Sequence, residues 1–228
     1  MGQDRGAAQA VQGVTDKQLW FRGMSAIMDE MNGLDIRNDY EHDENEEEKD
    51  RFRTSLEEEW RIHNREELLS ALEWIREGGH RVAFEQMRTF MNALSEADQW
   101  KCIHSLNPET GRYHEYLVVK TYMYKLPPAG IAAWDWGRYA NLCRKSAYVG
   151  FITEVEAEQL ILEAALEAQS AYSSWKEYAV AFLAGRLYWL EQTAEPLVQR
   201  QVNYVRNLFV QSNSIYNKVD WNLNLSLQ

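Results

Sequence analysis

Asp135 and Arg138 stand three residues apart in Ala132-Ala-Trp-Asp-Trp-Gly-Arg138, a stretch that reads as helix, so their side chains share a face. Arg186 stands on a later helical stripe among Leu183, Leu187 and Trp189, and His80 with Arg81 follows the helix stop Gly78-Gly79. A carboxylate, several guanidinium groups and an imidazole are the ingredients of an anion- or nucleotide-binding centre, with His80 available as a base. The same residues also suit a helix-joining ion pair in which Arg138 or Arg186 satisfies a partly buried Asp135. That second reading is the expectation, with either Arg138 or Arg186 as the partner, of which Arg186 would cross-link two helices, because paired charges in helix packing need no ligand. For His80, capping of the preceding helix through its last carbonyls, or packing, is expected.

Other chemistry is poorly supplied. Cys102 and Cys143 lie far apart, in no CxxC or Cys/His ligand spacing, so neither a disulfide framework nor a structural zinc site is expected. His42, His63, His104 and His114 form no HExxH pattern. Neither GxSxG, GxxxxGK[ST] nor GxGxxG occurs. The carboxylate pairs Glu154/Glu158 and Glu163/Glu167 have helical spacing but no Glu-x-x-His partner, and read as a solvated acidic face. No catalytic, cofactor-binding or metal-ligating set is therefore assigned.

Charge is the other conspicuous feature. Over 228 residues, 24 Lys and Arg against 35 Asp and Glu leave a formal charge of −11, which argues against general binding to nucleic-acid phosphate or an anionic membrane surface. Residues 1–60 hold 16 of the acids and 7 of the basic residues. The source is the run Asp39–Asp50 (DYEHDENEEEKD), which repels itself and reads as a solvated loop or a frayed helix start. Asp43, Glu44, Glu46, Glu47 and Glu48 are the candidate contacts for a basic protein partner. The N-terminus lacks the apolar run of a signal peptide, and no stretch reaches the length of a spanning helix. With two cysteines, that predicts a reduced, cytoplasmic protein.

The elements that must position these residues are signalled locally. Thr15 with Gln18 forms a capping-box pattern ahead of Leu19, Trp20, Ile27, Met28 and Met31 at helical spacing, and Gly33 stands at the end. Asn64/Glu67, Ser95/Asp98, Thr153/Glu156 and Ser174/Glu177 open further helices, and Pro127-Pro128 and Gly150 close others. Tyr113–Lys125 suits either a strand or a buried helix. The spacing predicts an all-α fold of roughly eight helices. It divides into an N-terminal helix (1–34), an acidic linker or loop (35–54), a helical body (55–215) and a tail (216–228) of no clear state. Most of Trp74, Trp134, Trp175 and Trp189 are expected in the core.

Several strings are too specific for composition alone. Trp60-x-Ile62 precedes Arg65-Glu-Glu-Leu-Leu69, Trp74 and Glu77-Gly-Gly-His-Arg81; later come Ala132–Arg138, Gly150-Phe-Ile-Thr-Glu154, Ser174-Trp175 and Gly185-Arg186 with Trp189. In that order, over about residues 60–190, the chain resembles an uncharacterised bacterial family typified by the YbeU and YbeR proteins, a domain of unknown function. The resemblance implies an intracellular bacterial protein and carries no activity. The expectation for function is a protein-binding module, an immunity or inhibitor protein that neutralises a toxin domain. The alternative is an enzyme or small-ligand-binding domain built on the Asp/Arg/His cluster. A solvent-open cluster favours the alternative; a packed one favours the first reading.

Overall fold

The computed structural model describes residues 14–33 and 46–226, and among these there is no strand. Eleven helical elements follow in order: α1 (Asp16–Met31), α2 (Glu46–Trp60), α3 (Arg65–Glu77), α4 (Arg81–Asn92), α5 (Glu96–His104), α6 (Gly111–Tyr122), α7 (Ala132–Tyr148), α8 (Glu154–Ala171), α9 (Trp175–Leu190), α10 (Glu195–Val210) and α11 (Ile215–Lys218). The fold is all-α, as the spacing predicts. The additional elements are α2, which begins inside the segment expected as an acidic linker, and the single turn α11. Of Tyr113–Lys125, the part up to Tyr122 is helical and the last three residues form a turn: Tyr116, Val119 and the C-cap Met123 recur at helical spacing and are all buried.

Helix α7 is the axis. Fourteen of its seventeen residues are buried, and α1, α3, α8 and α9 pack around it. Its small and aromatic residues, Ala132, Ala133, Trp134, Gly137 and Ala140, leave it without a solvent face, the pattern of a central helix. Helix α9 is apolar all round for the same reason. Two glycines let these helices close on one another. A Cβ on Gly185 would lie 2.3 Å from the Trp134 Cβ, and one on Gly137 would lie 2.5 Å from Phe182 and 2.9 Å from the Met24 carbonyl. Gly185→Ala is therefore expected to cost about 1–3 kcal/mol through overpacking. At Gly78 the nearest atom to an added Cβ is 3.9 Å away, so Gly78→Ala should stay within about 0.5 kcal/mol of wild type. Urea unfolding of both variants checks this; equal stabilities would refute the close approach.

The first and last described segments are bound into the core. Thr15 and Gln18 form the expected capping box, and α1 buries Trp20, Phe21, Met24 and Ile27. The tail, of no clear state in the sequence, straps α1, α8 and α9 together. The Trp20 indole donates to the Trp221 carbonyl (3.1 Å), Trp175 to the Val219 carbonyl (2.9 Å) and Trp221 to the Tyr172 carbonyl (3.1 Å). Gln169 donates to the carbonyls of Trp221 and Leu223 at 2.6 and 2.9 Å. Each indole thus buries its rings and still places its N–H on a partner. No described helix is long and apolar enough to cross a membrane.

Candidate functional site

Asp135 is completely buried on the first turn of α7, facing the turn between α3 and α4. Gly79, at φ +54°, lets the backbone pass against the carboxylate, where an added Cβ would come within 2.4 Å of Oδ2. The turn thereby aims the first N–H groups of α4 at Asp135. Oδ1 accepts from the His80 backbone N–H (3.1 Å) and from Arg138 Nη2 (2.5 Å). Oδ2 accepts from the Arg81 backbone N–H (3.0 Å) and from Arg81 Nη1 (3.3 Å). His80 makes no side-chain cap of its own, so Asp135 caps α4 from another helix, where a negative charge also meets the positive end of the helix dipole. Burial raises the carboxyl pKa, but His80, Arg138 and the two backbone N–H groups outweigh it and hold Asp135 below its ordinary value.

The other members of the cluster are just as engaged. Arg138 Nη2 lies 2.8 Å from His80 Nδ1, which is itself 3.7 Å from Asp135 Oδ1. Arg81 Nη1 donates to the Ile75 carbonyl at 2.5 Å, and Nη2 reaches the Arg76 carbonyl. Arg81 therefore closes the end of α3, and the His80 ring instead packs edge-on against Trp74, 5.6 Å between ring centres. Arg186 departs from expectation more sharply. It forms no ion pair among the described residues and does not reach Asp135. Its guanidinium lies over the rings of Trp189 (4.9 Å) and Trp134 (5.4 Å). Arg81 and Arg138 satisfy the acid in its place.

Of the acidic candidates, Asp43 and Glu44 lie outside the described residues. Glu46, Glu47 and Glu48 form the first turn of α2, where acids suit the helix dipole. Glu46 pairs with Lys49 (3.1 Å), Glu48 with Arg51 (2.9 Å) and Asp50 with Arg53 (2.9 Å), all on exposed helix surface. Cys143 is fully buried and its thiol is pushed far above its ordinary value, so no thiolate is available there. Among the described residues no group of three His, Cys, Asp or Glu gathers as metal ligands.

Sequence reasoning missed a second buried acid. Asp29 on α1 accepts from Arg144 Nη1 (2.8 Å), Ser25 Oγ (3.3 Å) and Asn141 Nδ2 (3.4 Å). The available signal was Ser25/Asp29 and Asn141/Arg144, each at helical spacing on an apolar helix. Beside this network a cleft of about 70 Å³ opens to solvent between α1, α7 and α8, lined by Phe21, Arg22, Arg144, Tyr148 and Glu158.

The fold and this cluster define an all-helical domain whose main charged centre is closed by its own backbone and side chains. The chain belongs to the family described as Protein of unknown function (DUF1266), which matches residues 55–221. It is 29% identical over 136 residues, 60% of its length, to the uncharacterized protein YbeU of Escherichia coli K12, and 28% identical over 132 residues, 57% of its length, to YbeR of the same strain. The matched segments span 57% and 54% of those relatives, a little over half their length. No solved structure gives a significant match. The family match extends to Trp221, the residue that ties the tail to α1 and α8. The segments Glu77–Arg81 and Ala132–Arg138, on which the resemblance rests, are the two that close on Asp135.

Proposed function

We propose that this chain is a protein-binding module acting from the cytoplasm, an inhibitor or immunity protein that neutralises a basic toxin domain by direct contact. The observation that carries the reading is helix α2. It holds seven acids and three basic residues yet buries just Phe52 and Leu56, so it presents a net negative face on the outside of the domain. Such a face steers a basic partner and orients it before contact. The packed Asp135 cluster supports the same reading. Its carboxylate has four hydrogen bonds from its own chain and no open side at which a substrate would meet it.

The test is neutralisation. Products encoded beside this gene are expressed in a bacterial host with and without the chain; one of them should arrest growth alone and lose that effect on co-expression. No relief of growth arrest by the wild-type chain rejects the reading. With the purified partner, the variant Glu44→Gln, Glu46→Gln, Glu47→Gln, Glu48→Gln should keep its melting temperature and associate about ten-fold more slowly at low salt, because electrostatic steering accelerates encounter by that order. The wild-type rate should fall as ionic strength shortens the Debye length to about 8 Å, and the variant's should fall less. Equal rates and equal salt slopes would reduce the acidic run to a solvated spacer.

A further inference from the structure

Indole rings and guanidinium groups alternate along one side of the molecule. Arg186 lies between Trp189 and Trp134; Arg138 lies 5.0 Å from the Trp134 ring centre, 5.2 Å from Trp60 and 5.7 Å from Trp74. Trp134, in the middle, is buried, but the two ends are open: Trp74 is 50% exposed and Trp189 44%. Neither ring is in the core, contrary to the expectation from their apolar stripes.

The two ends differ in charge. At the Trp189 end stands Arg186, a cation with no ion pair among the described residues, which repels a second cation. At the Trp74 end Arg138 and Arg81 share the one carboxylate of Asp135. Carboxylates neighbour that end along the chain. Glu57 and Glu58 precede Trp60 at the end of α2, and Glu73 and Glu77 stand beside Trp74 in the sequence of α3, all exposed, while Glu59 acts electrostatically on Arg186. The basic residues nearby are largely engaged: Arg76 pairs with Glu163 (2.7 Å), and His63 lies between Glu57 and Glu67 (3.3 and 2.9 Å), leaving exposed Arg61 as the local exception. A half-exposed indole, whose face carries negative potential, set among carboxylates attracts a cation. A guanidinium is the better stacking group because it is planar and weakly hydrated.

We propose that Trp74, with Trp60 at its edge (6.4 Å between ring centres), is the docking site for an arginine side chain of the basic partner, which extends the row by one guanidinium. This rests on the reading of a basic protein partner and adds which surface is used and which side chain it takes.

The test uses nona-arginine and nona-lysine, equal in charge, titrated against the full chain at matched ionic strength by calorimetry. Wild type should bind nona-arginine about five- to ten-fold more tightly than nona-lysine. Trp74→Leu should abolish that preference while Trp74→Phe keeps part of it and Trp189→Leu keeps all of it, with circular dichroism melts showing that each variant folds. Equal affinity of wild type for the two peptides, or an undiminished preference in Trp74→Leu, overturns the proposal. The growth assay separates it from the reading beneath it. A Trp74→Leu chain that relieves growth arrest as well as wild type removes this site and leaves the inhibitor reading standing. A wild-type chain that gives no relief removes the inhibitor reading, and the peptide preference still decides the chemistry of Trp74.

Discussion

Asp135→Ala is expected to lower the stability of the domain by about 3–5 kcal/mol, the cost of breaking a buried charge pair by removing one partner. The substitution leaves the guanidinium of Arg138, 5% exposed, buried without its carboxylate. It also strips the cap from α4, because the His80 and Arg81 N–H groups lose their acceptor. In a domain of this size, a loss of that order lowers the melting temperature by roughly 10 °C. Asp135→Asn keeps the shape, removes the charge and turns an amide N–H towards a group that also donates, so it too should destabilise. Arg186→Ala is the control. It removes stacking on two indoles but no ion pair, and should cost less than about half as much. If Asp135→Ala melts within a degree or two of wild type, the cluster is not what holds α3, α4 and α7 together. If Arg186→Ala proves the costlier change, the pairing described here is wrong. Stability from Asp135 should also depend on acid. Its folded pKa lies below the ordinary carboxylate value of 3.8, so the contribution is present above that pH and is lost as the pH falls through the folded value.

Alkali should unfold the protein cooperatively, beginning near pH 10. Tyr139, Tyr172, Tyr178, Tyr188 and Tyr216 are all buried, and burial raises each phenol well above its ordinary value of 10.0. Burial does the same to the Cys143 thiol, whose ordinary value is 9.0. A raised folded pKa gives stability that is fully present below the unfolded pKa and lost as the pH rises above it, because the unfolded chain then releases protons that the folded chain retains. Each such tyrosine withdraws about 1.4 kcal/mol per pH unit. Five acting together remove on the order of 10 kcal/mol within about two units, comparable to the whole stability of a domain. Lys145 works the other way. Burial holds its ammonium below the ordinary 10.5, so its contribution improves as the pH climbs towards that value, but it is one group against six. The measurement is a pH titration followed by circular dichroism and by phenolate absorbance. Exposed phenols such as Tyr124 should titrate smoothly, and the remaining phenolate absorbance should break together with the helical signal. All twelve phenolates appearing smoothly from pH 10 with the helices intact would show that the buried hydroxyls are open to solvent.

What was legible in the sequence was local. The capping pairs Thr15/Gln18, Asn64/Glu67, Ser95/Asp98, Thr153/Glu156 and Ser174/Glu177 each work within three residues, and each forms the hydrogen bond its spacing predicts. The all-round apolar character of Ala132–Cys143 likewise marks a central helix whatever surrounds it. That Asp135 pairs with Arg138 could also be read, since the two share a helix face. Its other partners could not. His80 and Arg81 reach the carboxylate from 55 and 54 residues away, because Gly79 allows a turn that aims two N–H groups at one point. Arg186 has the right charge on an equally buried helix, yet its rotation on α9 lays it on Trp134 and Trp189 instead. Trp74 and Trp189 carry the same apolar signal as Trp134 and Trp175, but among the described residues they are left about half exposed. Spacing along a helix fixes which side chains share a face. Which faces meet, and so which charge is paired and which indole is left to solvent, is set by the crossing of helices distant in the chain, and that was decided only when α7 was enclosed.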